Sequence, residues 1–185
     1  MKLYGSYTSP YVRHCRLALL ETGAAYEFVE ANYSDSARLS PASRVPFLRS
    51  ETVELNDSAS ILKYVREQGG QDFLSDVQAY DLFCLVNTAQ DASINLFLLE
   101  KEGVTPANTP YMERQASRVA STLIALNDKA AAGLDWHDGS IRLACFVEWT
   151  QYRKRIDFTP YPALLDWLEK ARTHDSFVQT APPAA

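Results

Sequence analysis

A chain of 185 residues, 46% hydrophobic and 22% charged, has the composition of a soluble globular protein and room for one large domain or two small ones. A formal net charge of −5 argues against a general nucleic-acid-binding role, which needs a basic face. No run approaches the apolar length of a membrane span, and the N-terminus lacks the basic-then-apolar layout of a signal peptide, so a cytoplasmic protein with no membrane role is expected.

The first strand covers residues 2–5 and runs into a hydroxyl-rich turn. A helix follows over residues 10–20, with Val12, Cys15 and Leu19 on one apolar face. Pro10 at its first position sacrifices no hydrogen bond, and Ser9 before it is a favoured N-cap. The Ser9 hydroxyl therefore sits at the positive end of a helix, where a negative charge is stabilised; plain capping is the simpler alternative. Gly23 is a C-cap candidate, and residues 26–30 alternate as a half-buried strand. Residues 32–44 are rich in Ser, Asp, Ala and Arg.

Val45-Pro46 then precedes a short strand, since proline belongs at a strand's first residue or on an edge. That bond is trans in most proteins and merely marks the strand start. Two short strands, at 47–48 and 53–55, lead into a helix over 57–66 that opens with Asn56, Asp57 and Ser58. These three either cap the helix or leave Asp57 and Ser58 to grip a ligand's charged groups. A Gly-Gly pair at 69–70 starts a linker.

The second half reads as helical: residues 76–102, with Tyr80, Phe83, Cys84, Leu96 and Leu99 as the apolar set, then 111–131, a buried central helix over 139–152, and 160–173. The Ala-Pro tail reads as loose. Three widely spaced cysteines, Cys15, Cys84 and Cys145, read as reduced, buried small hydrophobes. His14, His137 and His174 lack ligand spacing, so no metal is expected. Arg13, Arg16, Arg38, Arg44 and Arg49 fall in the N-terminal third, where they could form a local positive patch for an anionic peptide, although most of them read as solubilising surface charge.

Taken in order, the β-α-β segment, Ser9-Pro10-Tyr11-Val12-Arg13, Val45-Pro46 and Asp57-Ser58 resemble the N-terminal domain of glutathione transferases. The likeness extends over the chain and implies a thioredoxin-like α/β domain at residues 1–72 and an all-helical domain at 77–185. It also implies roles. Ser9 would donate to the glutathione sulfur and favour its thiolate. Val45 would pair its backbone with the cysteinyl unit, with Pro46 in the cis form, and Asp57 and Ser58 would hold the γ-glutamyl group. Tyr7 is close enough to compete with Ser9, whose place at the helix start favours it. Tyr7 and Tyr11 are the expected lining of a second-substrate pocket.

The activity implied is conjugation of the glutathione thiolate to an electrophilic small molecule, with glutathione as co-substrate, in a cytoplasmic homodimer. A non-catalytic binding or protein-interaction module of the same fold is the alternative. A glutathione-dependent isomerase of the maleylacetoacetate type is less favoured, because such proteins carry a Ser-Ser-Cys run where this chain has Ser9-Pro10-Tyr11. Serine in place of cysteine also speaks against thiol–disulfide exchange. In this family the central helix commonly begins with a Ser or Thr cap and an Asp three residues on; His137 and Ser140 stand there, so that capping box is expected to be missing, with Asp138 as a substitute.

Overall fold

The computed structural model describes residues 1–183. The strands are β1 (Lys2–Gly5), β2 (Glu27–Glu30), β3 (Phe47–Arg49) and β4 (Glu54–Leu55). The helices are α1 (Pro10–Glu21), α2 (Tyr33–Leu39), α3 (Ser58–Gln68), α4 (Val77–Glu100), α5 (Pro110–Ala131), α6 (Asp138–Tyr152), α7 (Pro162–Ala171) and α8 (Asp175–Gln179). They group into two compact units: Met1–Ser75 together with the residues from Arg172 onward, and Asp76–Ala171.

In the first unit the strands form one mixed sheet in the order β2-β1-β3-β4. β1 and β2 are parallel, which requires a crossover, and α1 supplies it. β3 runs antiparallel to β1, and β4 antiparallel to β3. The apolar face of α1 is buried as its spacing predicts, with Val12, Cys15, Leu17, Ala18 and Leu19 all fully covered. Gly23 follows the Thr22 C-cap in the left-handed region, and its N–H reaches the Leu20 carbonyl at 3.1 Å while that of Ala24 reaches Leu19.

The chain end differs from expectation. Residues 175–179 are a further helix, and Thr180 after it is fully buried, so the segment before the final Ala-Pro residues is tied down. Its anchor is α1, through hydrogen bonds and an aromatic contact that sequence spacing cannot show.

The second unit is helical throughout. α4 packs on α5 and α6, and α7 on the same two. α6 is the central helix, buried on every face from Asp138 to Val147. The buried face of α4 is not the one expected: Phe83 and Leu96 point inward with Leu82, Val86, Ala89 and Ala92, whereas Tyr80, Cys84 and Leu99 are exposed. Only Cys15 and Cys145 are the buried cysteines foreseen; Cys84 lies on the surface, and all three are free thiols. Also contrary to expectation, α4 is long and apolar enough to cross a membrane by length and composition. Its inward side nonetheless includes Gln90 and Ser93, and it packs on two neighbouring helices, as the core helix of a bundle does.

The start of α6 corrects a second expectation. His137 is the N-cap, and its Nδ1 accepts from the Gly139 and Ser140 N–H groups at 3.1 and 3.3 Å. The Ser140 hydroxyl accepts in return from the His137 N–H at 3.1 Å, which completes a capping box. Imidazole can replace a hydroxyl here because neutral Nδ1 is an acceptor. Burial lowers the His137 pKa below its ordinary value, opposed by the carboxylates of Asp138, Asp135 and Asp76. Protonation would also convert the accepting nitrogen into a donor.

Because the folded value lies below the unfolded one, the unfolded chain takes up the proton first as pH falls. The cap is therefore intact above the ordinary histidine range, and its stability is lost on acidification from about pH 6.5 downward. In chemical denaturation, His137→Ala should cost about 1 kcal/mol at neutral pH. His137→Asn should keep most of that and remove its acid sensitivity. Equal pH dependence in wild type and His137→Asn would contradict the assignment.

Candidate functional site at one end of the sheet

Strand register brings the three sequence motifs together. The last pair between β1 and β3 is Tyr4 with Phe47, so Val45 and Pro46, just before β3, lie where β1 runs out into the turn at residues 6–9. β4 is antiparallel to β3 and therefore parallel to β1; the residues following Leu55 leave the sheet at that same end. Asp57 and Ser58 are thus placed beside Val45-Pro46, on the side of the sheet end away from β2.

Ser9 is the N-cap of α1. The turn before it closes with the Ser9 N–H on the Ser6 carbonyl at 3.0 Å. Its hydroxyl accepts from the Val12 N–H at 3.4 Å, beyond the usual length of such a bond. The Ser9 hydroxyl proton meets no acceptor among the described residues, so it is available to a ligand atom. The close approach of this helix to the sheet depends on Gly5 at the end of β1. A Cβ there would stand 2.5 and 2.6 Å from the two Val12 methyls.

The Val45–Pro46 peptide bond is cis, as the resemblance implies. Pro46 is buried and Val45 half-buried. The Val45 N–H and carbonyl make no hydrogen bond among the described residues, which leaves a short free edge ahead of β3. Asp57 caps α3: its Oδ1 accepts from the Ala59 N–H at 2.8 Å. Its Oδ2 pairs with Arg44 at 3.1 Å, both side chains being at least half exposed. Ser58, the first residue of α3, is buried.

Most of the N-terminal arginines are expected to be solubilising surface charge, yet they are engaged, and Arg44, immediately before Val45-Pro46, pairs with Asp57. Arg49 donates to the carbonyls of Leu39, Leu48 and Leu55 and to Asn56 Oδ1. Asn56 Oδ1 accepts in addition from the Ser40 hydroxyl at 3.2 Å, which ties the loop after α2 to the approach to α3.

Of the two tyrosines, Tyr7 is engaged by its own unit. Its ring packs against Phe28 at 4.5 Å between centroids, and the Arg16 guanidinium lies 4.8 Å from its centre. Tyr11 is half-buried in the first turn of α1. No group of three or more metal-ligating side chains occurs among the described residues.

A small mixed sheet, a cis-proline ahead of β3 and a mostly helical remainder are the features the resemblance implies, and comparison with solved structures gives the glutathione transferase fold. Residues 3–72 match the family model "Glutathione S-transferase, N-terminal domain". Over its full length the chain is 27% identical to the uncharacterized GST-like protein YibF of Escherichia coli K12, covering 100% of both. A glutathione S-transferase from Methylobacillus flagellatus KT, solved with GSH bound, superposes with a TM-score of 0.86 at 21% identity over 98% of each chain. Maleyl pyruvate isomerase, described as a bacterial glutathione S-transferase in the Zeta class, superposes with a TM-score of 0.78 at 21% identity, covering 100% of this chain and 98% of that one.

If Gly5 sets the approach of α1, Gly5→Ala should destabilise the protein by about 1–3 kcal/mol, because the two Val12 methyls cannot move aside within the packed core. Thermal and denaturant unfolding measure this. A fully stable variant would show that α1 can shift without cost.

Proposed function

We propose that this chain is a glutathione S-transferase that joins the glutathione sulfur to an electrophilic carbon of a small molecule. One observation carries the reading: the sheet register gathers an unspent hydroxyl at one helix start, a free strand edge and a second helix start at a single end of the sheet. Glutathione offers a thiol, a peptide backbone and charged termini, which are the chemical complements of those groups.

In this reading the Ser9 hydroxyl donates to the sulfur, and with the α1 dipole it favours the thiolate. The thiol proton leaves to solvent, and the thiolate electron pair forms the new S–C bond as the electrophile's leaving group departs or its π bond accepts the pair. Val45 pairs through its free N–H and carbonyl with the cysteinyl unit, beside the cis-Pro46. The Asp57 carboxylate receives the γ-glutamyl amino group, while the Ser58 N–H and hydroxyl hold the γ-glutamyl carboxylate. Engagement of Tyr7 by Phe28 and Arg16 supports Ser9 rather than Tyr7 as the thiolate partner.

The likeness to maleyl pyruvate isomerase supports glutathione-dependent isomerisation as a second reading. Against it stands the Ser9-Pro10-Tyr11 sequence of the turn, which holds no cysteine. A homodimer belongs to the proposal, supported by Val77 and Tyr80, 74% and 52% exposed on α4. A reducing, cytoplasmic setting suits three free thiols.

Ser9→Ala should lower turnover with a model electrophile ~10–100-fold, the worth of one hydrogen bond to a charged group, with glutathione affinity nearly unchanged. Asp57→Ala should instead weaken glutathione binding, by calorimetry, to a similar degree. An unchanged rate in the first variant would remove Ser9 from the chemistry; unchanged affinity in the second would remove Asp57 from the binding site.

A further inference from the structure

The clasp between α1 and the end of the chain is not used by the chemistry above. Arg13 is only 4% exposed, and a guanidinium this deep requires acceptors to offset its lost hydration. Residues 177–180 supply them. Arg13 Nη2 donates to the Phe177 carbonyl at 2.9 Å, and Nε reaches the Thr180 hydroxyl at 3.5 Å. The guanidinium also lies 3.8 Å from the centre of the Phe177 ring. That carbonyl is among those a helix end leaves without an intrahelical partner, and a cation beside it is favourable.

One turn further along α1 the pattern repeats. Arg16 Nη1 donates to the Thr180 carbonyl at 3.4 Å, while its guanidinium covers the rings of Tyr7 and Phe28. Glu21 then accepts from the Ser176 hydroxyl at 2.8 Å and pairs with Arg66 at 2.8 Å. Thr180 thus contacts both sides of the turn at residues 6–9: Tyr7 through Arg16, and the start of α1 through Arg13.

The Ser9 cap bond is too long to hold that turn by itself. Besides the Ser9 N–H on the Ser6 carbonyl at 3.0 Å, the turn is tied to α1 one turn inward, where the Arg13 N–H donates to the Ser9 carbonyl at 2.9 Å, so the placement of Arg13 sets that of Ser9. We propose that residues 177–180 position the Ser9 hydroxyl through Arg13 and Arg16, which makes both arginines positioning residues for ionisation of the bound thiol. This rests on the reading of Ser9 given above. The placement tolerance of such a group is about 0.5 Å, so a turn released from its clasp loses the donor without losing the binding site.

The test uses the full chain with Arg13→Lys, which keeps the charge but not the fork, and Thr180→Val, which keeps the shape and the main-chain carbonyl. Three quantities are followed: thiolate absorbance of bound glutathione against pH, glutathione affinity, and amide exchange in a peptide covering residues 6–13. Arg13→Lys should raise the ionisation midpoint of the bound thiol by about one pH unit, toward the Ser9→Ala value, with affinity within about threefold. Exchange at residues 6–13 should quicken about tenfold in both variants.

A lower melting temperature with midpoint and exchange at wild-type values would overturn the proposal and leave the clasp a purely structural device. If Arg13→Lys does not fold, the same two readouts on Thr180→Val decide. If Ser9→Ala leaves the midpoint unmoved, the reading of Ser9 fails, and exchange at residues 6–13 still decides whether the clasp holds the turn.

Discussion

The pairing of β3 against β1 is the constraint on which the rest of the first unit depends. Because β3 reverses direction and β4 reverses it again, three segments far apart in sequence meet at one end of the sheet. Main-chain hydrogen bonds make this pairing, and no side chain of the candidate site is needed to build it. A slip of one residue in β3 would move Phe47 and Leu48 each to the other face of the sheet and remove Phe47 from its stacked contact with Tyr4 at 4.5 Å. The hydrophobic core therefore enforces the geometry at the sheet end.

Electrostatics then give that end its character. Two helix N-termini face it, each with N–H groups unspent by the helix itself, and they favour negative charge within the first turn. Arg44 adds a cation beside Asp57, so the α3 start presents paired charges of both signs. That combination suits a zwitterionic group better than a simple anion. At α1 the charge is left to the helix and the weakly committed Ser9 hydroxyl, in keeping with the proposed thiolate partner.

Much of this was legible in the sequence, and the physical reasons differ from place to place. Pro10 and Ser9 marked the start of α1 because fixed φ and capping chemistry are local. Asp57 marked α3 for the same reason. Long-range pairings leave no such trace: nothing in the periodicity of α1 says that Arg13 and Arg16 meet Thr180, so the short helix at residues 175–179 is not expected from the sequence. The cap at His137 was missed because imidazole is an uncommon acceptor at that position. In α4 the error lay in the face. Tyr80, Cys84 and Leu99 belong to the apolar set by residue type, while the buried stripe includes Gln90 and Ser93, whose polarity conceals it.

The most direct test of the account is a calorimetric titration of the wild-type chain with glutathione, with thiolate absorbance of the bound complex followed across pH. The account predicts binding, with the thiol ionising well below the range of an ordinary cysteine thiol, about pH 8.5. Binding without that shift would contradict the role given to Ser9 and the α1 N-terminus. No binding would contradict the function itself and leave only the fold.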